Sequence, residues 1–167
     1  LLAGAALNGL GSAEGSMGVD AGDFDNDGDE DLFVTNLPRE TNTLYVNDGS
    51  GRFDDETATA GLGIPSMPHT GFGTAWFDSQ LEERSNRGAQ LFRSLGTGRC
   101  EDVSARAGAV FELSEVSRGA AFGDLDNDGD VDVLVTNNSG PARLLINHVG
   151  QRNRWIGLRL VGESRSA

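Results

Sequence analysis

The chain is poor in residues that many catalytic, disulfide-bonded and membrane proteins require. Its 167 residues include one cysteine, one tyrosine and no lysine, and no run of 18 or more apolar residues. A single cysteine excludes an internal disulfide, and no membrane-spanning segment is expected. The two histidines, His69 and His148, have no partner histidine at metal-ligand spacing, so we interpret both as loop or surface residues.

Positive charge is also scarce. Thirteen arginines stand against 26 acidic residues, and the formal net charge is −13. A surface of this kind disfavours nucleic acid and anionic membranes as partners, because both are negatively charged. The one cysteine, Cys100, falls where Phe53 stands in another copy of an internal repeat, so we interpret it as a core residue and not as a nucleophile.

What the chain does contain is a nonapeptide of alternating aspartates that occurs twice, as DFDNDGDED and DLDNDGDVD. Five carboxylates within nine residues repel one another strongly in the absence of a cation. A hard dication that takes about six to eight oxygen ligands converts that repulsion into coordination, and calcium is the usual one. We therefore predict two Ca²⁺ sites. Their ligands are Asp23, Asp25, Asp27, Asp29 and Asp31 in the first loop, and Asp124, Asp126, Asp128, Asp130 and Asp132 in the second.

The spacing gives each loop position a role. The first three aspartates supply side-chain oxygens, the fourth its backbone carbonyl, and the fifth a closing carboxylate. Gly28 and Gly129, at position 6, permit the sharp turn, because glycine adopts positive φ without steric cost. The alternative is a solvated acidic turn, since Asp, Asn and Gly favour turns. Two copies in register favour the metal site.

The residues after each loop distinguish it from an EF-hand, which needs a Glu at position 12 and a helix on each side. Position 12 is Val34 in one copy and Val135 in the other. The runs LFVTN and VLVTN that follow the loops are β-branched or aromatic and end at turn residues, which is typical of strands. Each loop is therefore predicted to lie in a β-hairpin.

The repeat extends beyond the loops and includes a third, middle copy. Its period of about 50 residues is typical of propellers or solenoids. Each unit is predicted to hold four short antiparallel strands, as a propeller blade does. The matching segments are 18–23, 73–78 and 119–124 before the loops, and 44–61, 91–108 and 144–147 after them.

The middle copy is shorter than the other two. The distance from the first aspartate of the loop to the next leucine strand is 21 residues in the first unit and 20 in the third, but only 13 from Asp78 to Leu91. Either this blade has degenerated or residues are missing after Asp78. We favour missing residues, and a third calcium site would then lie near Asp78.

This pattern resembles the FG-GAP/VCBS repeat of integrin α-like β-propellers, in which Gly-x4-Asp-x-Asp-x-Asp-Gly-x-x-Asp precedes an apolar strand. The Phe72-Gly73 pair and the segment 42–53 more narrowly resemble the bacterial branch related to cartilage acidic proteins, the ASPIC/UnbV type. The tail 153–162 resembles the start of the small β-domain that follows the propeller in that group. The resemblance implies a closed propeller of roughly seven blades.

We accordingly predict an all-β chain that supplies about three blades of such a ring. Three blades would leave strand edges open, so we expect the chain to be part of a longer protein. The predicted boundaries are 1–16 for the end of a preceding blade, 17–62 for a blade with a calcium loop, 63–109 for the incomplete blade, 110–150 for a second blade with a calcium loop, and 151–167 for the start of the ASPIC/UnbV-like segment.

Two kinds of function fit these features. The first is a non-enzymatic, calcium-stabilised propeller that binds another protein, alone or as an accessory subunit of an envelope complex. The second is a carbohydrate-binding or polysaccharide-lyase-like propeller that acts on a cell-surface glycan. A lyase needs a basic or aromatic cluster on one face, with a Lys, Arg or Tyr to abstract the proton. The chain has no lysine and only one tyrosine, Tyr45, so the first function is favoured. Calcium loops suit a calcium-rich compartment, so the periplasm, the cell surface or the outside of the cell is expected.

Overall fold

The computed structural model describes residues 3–76, 90–108, 111, 113 and 115–148. Within these ranges the chain forms nine β-strands in three antiparallel sheets, a four-residue helix α1 (Gly63–Ser66) and a 3₁₀ turn at Ser104–Arg106. The all-β prediction is therefore confirmed. None of the helices in the described part of the chain has the length and apolar character needed to cross a membrane.

The first sheet is a four-stranded antiparallel meander that follows chain order. Its second strand begins at the last aspartate of the acidic loop, and its β-branched and aromatic residues suit a pleated, half-buried surface. The predicted strands after the loop, at residue 43 and near residue 52 are confirmed. The strands are β1 (Gly18–Gly22), β2 (Asp31–Thr35), β3 (Thr43–Asn47) and β4 (Phe53–Asp55).

The other two sheets repeat parts of the first. The second holds the counterparts of β3 and β4, and the third holds those of β1, β2 and β3. The acidic residue Asp78 and the tail segment 153–162 lie outside the described residues, so the predictions that concern them stay predictions. The strands are β5 (Phe92–Ser94) and β6 (Cys100–Asp102), then β7 (Ser117–Gly123), β8 (Asp132–Asn137) and β9 (Arg143–Leu145).

Hydrogen bonds outside the strands show that the repeat seen in the sequence is also present in the structure. The backbone N–H of Leu44 donates to the Thr57 hydroxyl at 2.9 Å. The backbone N–H of Leu91 donates to the Ser104 hydroxyl, also at 2.9 Å. Because the same bond recurs at aligned positions, the first and middle units share the connection that follows their last strand.

A second recurring set of hydrogen bonds joins the segment before the first strand of a sheet to the end of the second strand and the start of the third. The Glu14 carboxylate accepts hydrogen bonds from Asn36 Nδ2 at 3.0 Å and from the Thr43 hydroxyl at 2.6 Å. In the third unit, Glu115 accepts from Asn137 Nδ2 at 2.8 Å and from the guanidinium of Arg143. Residue 14 thus bonds to the first unit, and the assignment of 1–16 to a preceding blade stays a prediction.

The first strand predicted for the middle unit is not formed in its described part, residues 73–76. The backbone N–H of Trp76 instead donates to the Asp20 carboxylate at 2.7 Å. The Trp76 ring lies 6.0 Å, centroid to centroid, from the rings of both Phe24 and Phe33. The tryptophan therefore packs against the first unit.

The main apolar core is formed by residues of the first unit. Its buried members are Phe24, Leu44, Ala60 and Leu62, and Cys100 of the second sheet packs against them. A smaller cluster of buried residues lies beside the second sheet, and it consists of Leu91, Val103, Ala107 and Phe111. The predicted core position of Cys100 is confirmed, because the thiol is half-buried and contacts the core of the neighbouring unit.

We predict that Cys100 is unreactive in the folded protein. Burial raises the pKa of its thiol from 9.0 to about 11. Because the thiolate is the reactive form, alkylation by iodoacetamide at pH 8 should be roughly 100-fold slower than in the urea-unfolded chain. The unfolded thiol ionises first as the pH rises, so the folded state should also lose stability between about pH 9 and pH 11. Mass-spectrometric labelling rates in the two states within threefold of each other would contradict this prediction.

Candidate metal sites

Both acidic loops connect the first two strands of a sheet, as predicted. Gly22 pairs with Asp31 where the first hairpin closes, and Gly123 pairs with Asp132 where the second closes. The residues between these pairs form the loops, and their alternating carboxylates lie at one end of each hairpin. The sheets therefore position the loops through antiparallel registers that match between the two units.

The first aspartate of each loop organises the turn through its carboxylate. Asp23 accepts hydrogen bonds from the backbone N–H groups of Asp27 and Gly28, both at 3.1 Å. Asp124 accepts the corresponding bonds from residues 128 and 129, also at 3.1 Å. The same two hydrogen bonds, with the same lengths, occur in both loops, so both sequences adopt one conformation.

Left-handed backbone at two positions allows this turn. Gly28 and Gly129 both have φ of 95°, which glycine adopts without steric cost and which supports the role predicted for position 6. Asn26 and Asn127, at position 4, have φ of 64° and 63°. Asparagine tolerates the left-handed region better than most residues do, so both loops place suitable residues at the strained points.

The carboxylates of the first loop converge. Oxygen atoms of Asp23, Asp25 and Asp27 lie within 4.8 Å of one another. Two oxygens bound on opposite sides of one calcium ion at about 2.4 Å would be about 4.8 Å apart, so the spacing fits this ion. The structure therefore brings together the three side chains that were predicted as the first ligands, and their chemistry suits Ca²⁺.

The second loop gathers a slightly different set. Oxygen atoms of Asp124, Asp126 and Asp132 lie within 4.8 Å of one another. The predicted closing aspartate thus belongs to the cluster in this loop. Both sets consist of carboxylate oxygens, which are the ligands that calcium prefers.

The backbone of the fourth aspartate is held by a hydrogen bond within the loop in both units. The Asp29 carboxylate lies against the neighbouring turn, 2.9 Å from where a Cβ on Gly49 would stand. Its backbone N–H donates to Asp27 at 2.9 Å, and that of Asp130 donates to Asp128 at 3.0 Å. A side chain directed toward the turn agrees with the backbone-carbonyl role predicted for Asp29.

The fifth aspartate of each loop is a buried structural link, which sequence reasoning missed. Asp31 is fully buried, and its two oxygens accept backbone hydrogen bonds from Phe24 at 2.7 Å and Asn47 at 2.8 Å. Asp132 is equally buried and accepts from residues 125 and 147 at 2.8 and 2.9 Å. Each carboxylate therefore joins its loop to the end of the third strand.

The pKa of the aspartate at position 3 is raised in both loops. Partial desolvation raises the pKa of Asp25 above its usual value, and the carboxylates of Asp27 and Asp31 raise it further. Desolvation and the carboxylates of the second loop raise the pKa of Asp126 in the same way. A bound dication would reverse this repulsion, because it favours the ionised form of each ligand.

The structure also brings His148 to the second loop. A ring nitrogen of His148 and carboxylate oxygens of Asp126 and Asp128 lie within 4.8 Å of one another. His148 is exposed, as expected for a surface residue, but this contact was missed. The available signal was the alignment of Asn147 with Asn47, which gives His148 the position that Asp48 has in the first unit.

The other histidine lies beside an apolar cavity of about 160 Å³ that residues of all three units line. Aromatic side chains such as Phe33, Phe92 and Phe122 form much of its wall. His69 is the one histidine among the described residues that line it. The cavity therefore offers apolar contact more than acid–base chemistry.

One comparison with known proteins identifies part of this arrangement. Residues 23–79 match the family model described as an FG-GAP-like repeat. The match runs from the first acidic loop through the first sheet and into the middle unit, so the repeat recognised from the sequence is confirmed there. No curated protein matches the chain significantly. The narrower resemblance to the ASPIC/UnbV type stays a prediction.

Proposed function

We propose that this chain forms blades of a calcium-stabilised β-propeller that acts outside the cytoplasm as a non-enzymatic, protein-binding module. The observation that carries the proposal is that the same acidic loop structure occurs twice. Two hairpins hold the same loop conformation, each with clustered carboxylates and a buried aspartate that links the loop to the third strand.

The fold supports the propeller part of this proposal. The first sheet has four antiparallel strands in chain order, and the third repeats the first three of them. Four-stranded meanders of this kind are the blades of propellers. The FG-GAP-like repeat at residues 23–79 suggests a propeller-like interaction module as well. The ASPIC/UnbV type remains the narrower form of the proposal.

The charge of the loops supports a stabilising role for calcium. Asp23, Asp25 and Asp27 would hold one ion, and the carboxylates of the second loop would hold another. Two dications would bring the formal net charge from −13 to about −9. When bound, calcium neutralises carboxylates that otherwise repel one another. The loop itself is shaped by the hydrogen bonds that Asp23 accepts from the backbone.

Calcium removal is the direct test of this role. Metal that binds only the folded form adds about 1.4 kcal/mol per site at a tenfold excess over Kd. We therefore expect 2 mM CaCl₂ to raise the melting temperature of the intact protein above its value in EDTA, and MgCl₂ to do so much less. Asp25→Asn should remove part of the increase, because it removes one ligand of the first cluster.

The control is Asp54→Asn, which neutralises an exposed carboxylate outside both loops. It should leave the calcium-dependent increase intact. A melting temperature that is the same in EDTA and in calcium would overturn the stabilising role. Specific binding on a glycan array, or turnover of a uronide polymer by the full-length protein, would favour the carbohydrate alternative over protein binding.

A further inference from the structure

We infer that the two acidic loops differ in metal selectivity, and that the second loop, through His148, binds a first-row divalent transition metal such as Zn²⁺. This inference rests on the proposed role of the loops as metal sites. It adds that one of them has a second mode of binding. The three atoms that carry it are a ring nitrogen of His148 and carboxylate oxygens of Asp126 and Asp128, which lie within 4.8 Å of one another.

The fold holds His148 at the loop through its neighbour. The backbone N–H of Asn147 donates to the buried carboxylate of Asp132 at 2.9 Å, and Asn147 is itself buried. Asp132 is also bonded to the backbone of Leu125 within the loop. The residue after Asn147 therefore emerges beside the loop because a buried link fixes the two segments together.

The first loop has no equivalent nitrogen ligand. Asp48 occupies the position of His148, and its Oδ1 accepts hydrogen bonds from the backbone N–H and the hydroxyl of Ser50, at 2.9 and 2.6 Å. The backbone N–H of Arg52 donates to the same oxygen at 3.3 Å. The Asp48 side chain is thus engaged by its own turn, and the ligand cluster of the first loop consists of carboxylates alone.

Ligand chemistry turns this difference into selectivity. Carboxylate and carbonyl oxygens suit calcium, whereas an imidazole nitrogen suits zinc and other first-row transition metals. Zinc holds nitrogen and oxygen ligands at about 2.0–2.2 Å, so two ligand atoms on one ion lie at most about 4.4 Å apart. Asp126 and His148 are exposed, so their side chains are free to adjust to this spacing.

The two modes of the second loop share a ligand. Asp126 belongs both to the all-carboxylate set with Asp124 and Asp132 and to the set with Asp128 and His148. Two dications held by one carboxylate and its close neighbours repel each other, so zinc and calcium should compete at this loop. Zinc should not compete with calcium at the first loop.

The experiment is a zinc titration of the full chain by isothermal calorimetry, with and without calcium. The wild-type protein should bind one Zn²⁺ and release one of two calcium ions. His148→Gln should weaken zinc binding at least about tenfold, because a ligand is lost, and should leave calcium affinity within twofold. His69→Gln is the matched control, since it removes the other imidazole, and it should bind zinc as the wild type does.

A second readout locates the metal. In NMR spectra, zinc should shift the ring signals of His148 and leave those of His69 unchanged. Zinc affinity that is equal in His148→Gln and wild type, or that falls equally in His69→Gln, would overturn the inference. Failure of the proposed calcium role has a different signature, because EDTA would then leave the melting temperature unchanged while the zinc response still depended on His148.

Discussion

Replacing Asp31 with alanine should lower the free energy of unfolding by about 3–5 kcal/mol, even when a chelator has removed all calcium. The Asp31 carboxylate is fully buried and accepts backbone hydrogen bonds from Phe24 and Asn47 at 2.7 and 2.8 Å. Alanine would leave both donors without this acceptor. Urea unfolding in EDTA, followed by circular dichroism, measures the loss apart from any effect on metal binding.

Asp31→Asn should be almost as harmful as the alanine variant. An amide has one oxygen, so its NH₂ group would face one of the two backbone donors. Asp132→Ala should have a similar effect, because its carboxylate makes the same pair of contacts. The control is Asp54→Asn, an exposed site where a change within about 0.5 kcal/mol is expected. A loss below 1 kcal/mol for Asp31→Ala would show that its carboxylate does not link the loop to β3.

Leu44→Ala should cost about 2–5 kcal/mol of unfolding free energy, whereas Leu144→Ala should cost less than about 1 kcal/mol. The two leucines occupy the same position of β3 and β9, but Leu44 is 0% exposed and Leu144 is 53% exposed. Leu44 packs in the main core with Phe24 and Leu62. Truncation there leaves a cavity, whereas truncation at Leu144 removes surface that is already half in water.

This pair of variants is its own control, since both make the same chemical change at aligned positions. Chemical denaturation of each, with equal m-values, would give the difference directly. Equal losses would contradict the prediction and show that the outer surface of β9 is covered in solution. The pair therefore also tests how far the third unit depends on chain or partner surface beyond the described residues.

The strands could be predicted from the sequence because their signals are local. Alternating β-branched and aromatic residues between turn residues marked Thr43–Asn47 correctly, and valine at position 12 separated the loops from EF-hands. The clustering of Asp23, Asp25 and Asp27 followed from their spacing along one tight turn. Each of these features depends on residues that are close together in the chain.

What the sequence did not reveal depends on contacts between distant residues. The bond from Asn47 to Asp31 spans 16 residues and requires the register of β2 against β3. The approach of His148 to Asp126 likewise requires the corresponding pairing in the third unit. Residues 73–76, predicted as a first strand, lie outside any strand, and the Trp76 backbone N–H bonds to Asp20, 56 residues away in the chain.

In the first loop, different aspartates serve the ligand cluster and the buried link, and this separation bears on how duplicated units can diverge. Asp25 contributes to the ligand cluster, whereas Asp31 is committed to the backbone of its own unit through both oxygens. A copy can therefore change or lose its metal through substitutions at the exposed positions and still keep its hairpin. Substitution of the buried aspartate has no such freedom. The metal preference of one copy can therefore change without loss of its fold. His148 beside the second loop, at the position that Asp48 has beside the first, is a difference of this kind.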